Sequence, residues 1–114
     1  MSLPILITNS RIPKLMSVII NVYAITLWPF VFIRDEGNDV TINHETIHIK
    51  QYNELLVIGF LIIYLFDWIV GLIKYRNREK AYYRIRFEQE AYDNQTDLNY
   101  IKNRKKFHWL KYRI

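Results

Sequence analysis

His44-Glu45-Thr46-Ile47-His48 sets two imidazoles four residues apart, with a carboxylate directly after the first. On a helix, residues four apart share a face, so His44 and His48 converge on a point where one zinc ion could bind. Glu45 lies one position further round, within reach of the proton of a water at that ion. The run is an HExxH motif, and the chemistry that its residue types and spacing serve is hydrolysis by a metal-activated water.

Two imidazoles are too few for such a site, which needs a third protein ligand and one open position. The chain has no cysteine, which excludes disulfides, thiolate zinc sites and cysteine nucleophiles. The third ligand must then be His, Asp or Glu. Glu88, in Phe87-Glu88-Gln89-Glu90-Ala91-Tyr92, is the best downstream candidate. Glu88 and Glu90 stand about 200° apart round a helix, so only one can face the ion. Glu90 is expected to face solvent or to pair with Arg86. The small Ala91 lets the two helices approach closely, and Tyr92 is placed to hydrogen-bond a ligand or the substrate. Gln51, one turn past His48, either steadies an imidazole or faces solvent. Tyr82, Tyr83 and Tyr92 are all candidates for stabilising an oxyanion. His108, between Phe107 and Trp109, reads as a structural or surface residue.

These side chains need two helices to hold them. Asp39, Thr41 or Asn43 can cap a helix that begins near Val40 and carries His44, His48, Gln51 and Leu55 along one side. Ala81 to Leu98 reads as a second helix, with Ala81, Ile85, Glu88 and Tyr92 at near-helical spacing. Lys74 to Glu79 forms a polar hinge between the two, and a last short helix starts near Asp97. Ahead of the motif, Pro4 to Thr8 is a short strand or extended lead-in. Pro13 opens a short helix through Ile20. Ala24 to Ile33 is an edge strand or a bent pair of short strands, because Pro29 is poorly tolerated inside a sheet. Asp35 to Asp39 is the clearest turn. The expected fold is α+β, mainly α: metallopeptidase-like helices with a small N-terminal β element, in a single domain spanning 1–114.

Leu55 to Ile73 runs for nineteen residues with Asp67 as its one charge, long enough to suggest a transmembrane helix. Leu15 to Ile33 is also largely apolar, so an all-α protein with two membrane spans is the alternative fold. A crossing between His48 and Glu88 would separate them by about 30 Å, and ligand bonds of about 2 Å forbid that. With the metal site in place, the apolar helix must turn back without crossing. Asp67, Tyr64, Gly71 and Lys74 form a thin polar stripe that suits a core helix or one lying flat on a membrane.

The 114 residues carry a net charge of +5, with 51% hydrophobic and 16% aromatic residues, which excludes a disordered chain. Four basic residues and one acid lie between Lys74 and Lys80, and the segment from Lys102 to Arg113 adds six basic residues and no acid. Aromatics among them suit contact with anionic lipid. No zinc-finger, recognition-helix or RNA-binding sheet pattern is present in the sequence, so nucleic acid is not an expected partner. The expected location is the cytoplasm or the periphery of the inner membrane, with an integral membrane protein as the alternative.

The order HExxH, then a glutamate on a later helix, resembles the gluzincin zinc metallopeptidases. Glu88 to Tyr92 resembles the ExxAD element of the CAAX-prenyl-type and HtpX-type membrane endopeptidases. Tyr92 stands where those families have an aspartate that supports a ligand histidine, a part a phenol cannot fully play. With its Ile25-Thr26-Leu27-Trp28-Pro29-Phe30 lead-in, the whole chain also resembles small bacterial proteins that carry the same two elements. The resemblance implies that His44, His48 and Glu88 bind zinc, that Glu45 is the catalytic base, and that the substrate is a peptide or unfolded protein segment. That segment is expected to add to the edge strand near Thr26–Ile33. The alternative function is a non-catalytic zinc-binding or membrane-associated structural protein.

Overall fold

The β-branched and aromatic residues on either side of Trp28-Pro29 form a hairpin. In the computed structural model, which describes residues 5–9, 24–33 and 38–114, strand β2 (Ala24–Leu27) turns through a cis Trp28–Pro29 bond into β3 (Phe30–Ile33). Pro29 thus lies in the turn and costs the ladder no hydrogen bond. Strand β1 (Ile5–Ile7) pairs in parallel with β3, giving the order β1-β3-β2, so β3 is central and, among the described residues, no strand pairs with the other edge of β2. Alternation along β3 buries Val31 and Ile33 against Ile49. The hairpin takes up the second half of the apolar stretch 15–33, which removes it as a helical span and, with it, the all-α two-span fold. The helix expected from Pro13 to Ile20, and most of the turn before Asp39, lie outside the described residues.

Helix α1 (Asp39–Tyr75) starts at Asn38, whose side chain accepts from the Thr41 amide at 2.9 Å. The cap is therefore none of Asp39, Thr41 and Asn43. Asn43 is turned inward and donates to the carbonyls of Gln95 and Asp97, at 2.8 and 3.0 Å. The helix is broken at Leu56, where φ 51 and ψ 134 divide it into limbs 39–55 and 57–75. Tyr52 and Phe60, eight residues apart, stack with ring centroids 3.7 Å from each other. Eight residues of straight helix would separate them by about 12 Å, so the break folds one limb onto the other. Leu56 itself is 80% exposed, so its own side chain does not hold the strained backbone. Leu56→Gly is expected to raise stability by about 1 kcal/mol, read as a higher urea midpoint at an unchanged m value.

The chain then reverses. Arg76 ends α1 in the left-handed conformation, and Asn77 caps α2 (Arg78–Arg84) by accepting from the Lys80 amide. A Cβ on Gly71 would lie 3.0 Å from the Cα of Ala81, which shows how closely α2 returns along limb 57–75. The single helix expected from Ala81 to Leu98 is instead two. Ile85 is extended (φ −58, ψ 128), and α3 (Arg86–Asn94) starts in a new direction. The reason is buried Asp67, which accepts from the Arg86 backbone amide at 3.1 Å and from its guanidinium at 2.9 Å twice. Gln89 satisfies the Arg84 carbonyl freed by the break, at 2.8 Å. The one charge in the apolar run thus anchors the start of α3.

Helix α4 (Tyr100–Asn103) and a 3-10 turn (His108–Lys111) follow. Trp109 packs edge-on against Phe87, and His108 lies between the rings of Tyr100 and Tyr112. The fold is mainly helical, with a small three-stranded sheet at the N-terminal end, as expected. Among the described residues one helix, α1, is long and apolar enough to span a membrane.

Candidate metal centre

Limb 39–55 presents His44 and His48 on one face, and the break at Ile85 aims Glu88 of α3 at them. Glu88 Oε1 is 3.1 Å from Nε2 of His44 and 3.1 Å from Nε2 of His48. The imidazoles are 5.0 Å apart, centroid to centroid, and inclined at 77°. All three residues are buried, as is Glu45.

The opposite ring nitrogens are already engaged. His48 Nδ1 donates to Gln51 Oε1 at 2.7 Å, and His44 Nδ1 donates to Gln95 Oε1 at 2.8 Å. The Gln51 amide can point only one way, because its nitrogen donates to the Phe87 carbonyl and to Glu90 Oε1. With Nδ1 protonated, each Nε2 of a neutral imidazole turns a lone pair toward a carboxylate. Such a cluster calls for a cation or a proton at its centre. Burial alone would lower the His48 pKa, but the charge and hydrogen bond of Glu88, helped by Glu45, raise it to about 9. Burial works the other way on Glu88, yet the two imidazoles hold its carboxyl well below the usual range. His44, Glu45 and His48 bring ligand atoms within 4.8 Å of one another, a buried group that could hold a metal ion.

Glu45 is held from the sheet. Its Oε1 accepts from Thr26 Oγ1 at 3.1 Å, and its Oε2 lies 3.4 Å from His44 Nε2. Tyr52 ties the same strand down by donating to the Thr26 carbonyl at 2.9 Å. Beside Glu45, His48 and Glu88 lies a cavity of about 360 Å³, walled by β2 on one side and by Phe60, Tyr64, Leu65 and Trp68 on the other.

His44, Glu45, His48, Gln51, Glu88, Tyr82 and Tyr92 lie in this region, though not always as expected, whereas Tyr83 is exposed beside Tyr92 and away from the cavity. Gln51 supports His48 and does not face solvent. Tyr92 makes no hydrogen bond to a ligand: its ring packs edge-on against His44 at 4.3 Å, and its hydroxyl meets that of Tyr82 at 2.9 Å. The phenol that bonds Glu88 is instead Tyr64, which donates to Glu88 Oε2 at 2.6 Å. Burial and the Glu88 charge push the Tyr64 pKa well above its usual value, which keeps it a donor. Glu90 neither faces solvent nor pairs with Arg86. It is fully buried and bonds Arg104, Tyr100 and Gln51, while Arg86 belongs to Asp67.

Three contributors escaped the sequence. Tyr64 carried a signal, a phenol in a greasy run that needs a partner. Thr26 and Gln95 carried none, since one is an ordinary strand residue and the other follows α3 in a loop. No protein-family model matches the chain, and no curated protein or solved structure resembles it at a significant level.

Proposed function

We propose that the chain is a zinc-dependent metallopeptidase of minimal gluzincin type, with His44, His48 and Glu88 as metal ligands and Glu45 as the general base. The observation that carries this reading is the single Glu88 oxygen equidistant from two imidazole nitrogens whose other faces are occupied. Edges of 3.1 Å between these atoms suit ligand bonds of about 2 Å, for which a tetrahedron has edges of about 3.3 Å. The donor set, two imidazoles and a carboxylate, is one that zinc accepts in hydrolytic sites. Of the two imidazoles Glu45 pairs with that of His44, at 3.4 Å, and Thr26 of β2 holds its other oxygen, which favours proton transfer over ligation.

When bound, zinc supplies Lewis acidity, making water a better nucleophile and the peptide carbonyl a better electrophile. The rest belongs to the chain. Glu45 Oε2, free of the Thr26 bond, takes the proton of the attacking water as its oxygen bonds to the carbonyl carbon. It then passes that proton to the amide nitrogen as the C–N bond breaks. Gln51 and Gln95 fix the two imidazoles, and Gln95 takes the supporting part that an aspartate plays in the families the chain resembles. Of the three tyrosines considered for the oxyanion, Tyr82 is the one that lines the cavity, and it is assigned that role.

The substrate is an extended peptide or unfolded segment with an apolar side chain for the cavity. It adds to the edge of β2 that no described strand pairs, since β3, inside the expected Thr26–Ile33 region, is paired on both sides. An opening beside Glu45 and Glu88 also favours catalysis over a structural zinc site, which closes with four protein ligands. The work is placed in the cytoplasm or at the periphery of the inner membrane.

Metal analysis tests the ligand set. The parent should hold one zinc per chain, and His44→Ala and Glu88→Ala should each weaken binding by at least about 100-fold, more than the loss of a supporting group. Zinc bound as tightly by Glu88→Ala as by the parent would overturn the assignment.

A further inference from the structure

We propose that the exposed side of limb 57–75 docks on an anionic lipid bilayer, lying along the headgroup layer with the cavity mouth turned toward it. The most apolar window of α1 is only 17% buried, unlike the core helix of a soluble protein. Ile58, Ile62, Leu65, Phe66, Ile69 and Ile73 are 45–74% exposed and recur at helical spacing, so they form one ridge. The opposite face, with Phe60, Tyr64, Asp67 and Gly71, is turned to the metal centre and to α2 and α3. One side of the limb is packed and the other is apolar and bare, the arrangement of a helix that lies in an interface.

A crossing does not fit. Helix α2 returns along the same limb with Glu79 and Lys80 exposed, and charged side chains there would have to enter hydrocarbon. Charge selects the occupant. At the far end of the ridge Lys74, Arg76, Arg78 and Lys80 are exposed against the single acid Glu79. Lys74 also bonds the Ile114 carbonyl at 3.2 Å, which adds exposed Arg113 to the cluster. An apolar ridge ending in clustered cations complements acyl chains bordered by anionic headgroups. Tyr75 stands at the junction, a position aromatics favour at membrane surfaces.

Leu65 of the ridge and Leu61 beside it, 45% exposed, also line the cavity wall, and Leu27 lines the facing wall while also being exposed. Docking therefore brings the cavity mouth to the lipid. On the peptidase reading, and only there, it follows that the substrate is an apolar segment at the membrane surface. The docking itself does not rest on that reading.

Co-sedimentation of the full chain with vesicles tests the proposal. The chain should bind phosphatidylcholine vesicles that contain phosphatidylglycerol, bind pure phosphatidylcholine more weakly, and be released by carbonate. Ile62→Glu with Ile69→Glu should weaken binding by at least about tenfold while zinc binding persists. Arg76→Glu with Arg78→Glu should remove the preference for phosphatidylglycerol. Should the ridge variant fail to fold, quenching of the parent's tryptophan fluorescence by brominated acyl chains reads the same contact. Absence of vesicle binding, or parent-like binding by the ridge variant, overturns the proposal. Extraction by detergent alone overturns it in favour of a span, and a dimer that the ridge variant dissociates, with no lipid binding, in favour of a second copy. Glu45→Gln should dock like the parent, so loss of hydrolysis and loss of docking are read apart.

Discussion

Glu45→Gln is expected to keep the full complement of zinc and to cut peptide hydrolysis by about 10²–10⁴-fold, the range for removal of a general base. The amide matches the carboxylate in size and can still accept from Thr26 Oγ1 at the position now bonded at 3.1 Å. It cannot take a proton from water. The ligand trio is untouched, because Glu88 and not Glu45 bridges the two imidazoles. A generic peptide library, assayed with equal zinc loading of parent and variant, gives the comparison. Unchanged hydrolysis removes Glu45 from the mechanism. Loss of zinc by the variant would instead make Glu45 a ligand and reassign Glu88 as a supporting group.

The contrast between Glu45 and Glu88 also shows which parts of the site the sequence could reveal. His44 and His48 converge through helical periodicity alone, which operates within one turn and needs no tertiary information. The meeting of Glu88 with the two imidazoles was legible through the search for a third ligand, and the turning of Glu90 away from them through helix angle. Where Glu90 does go was not legible. Its partner Arg104 lies fourteen residues on, beyond a loop and a short helix, and no local period connects them. The same limit applies to Asp67. Read as part of a polar stripe, it is the acceptor that starts α3, and that role exists only once α2 has folded back.

The break at Leu56 had no sequence signal either. Leucine has no preference for positive φ, and tertiary stacking of Tyr52 on Phe60 imposes the conformation. The hairpin was more accessible, because Pro29 among β formers restricts the choices to an edge or a turn. Membrane behaviour could be narrowed but not decided by composition. Length and hydropathy describe a span, while only the returning helices show that one side of the limb is already taken.

Arg104→Met is expected to destabilise the fold by about 3–5 kcal/mol, the range for stranding a buried charge whose partner is removed. Two carboxylates depend on this guanidinium. Nη1 and Nη2 reach the two oxygens of Glu54 at 2.9 Å each, while Nε and Nη2 reach those of Glu90 at 2.6 and 3.1 Å. The side chains of Arg104, Glu54 and Glu90 are all buried, so solvent cannot replace the lost partner. The damage should extend to the metal centre, because Glu90 Oε1 accepts from Gln51 at 2.9 Å and Gln51 accepts from His48 Nδ1 at 2.7 Å. Loss of that orientation should weaken zinc binding by about 10–100-fold. Urea unfolding of zinc-free protein measures the first effect and zinc titration of the folded variant the second. Glu90→Gln in the Arg104→Met background removes one stranded charge while keeping an acceptor for Gln51, so it should recover part of the stability and most of the affinity. A purely structural ion pair, with no link to His48, predicts the loss of stability without any change in zinc affinity. That outcome would break the chain of contacts from Arg104 to the imidazole.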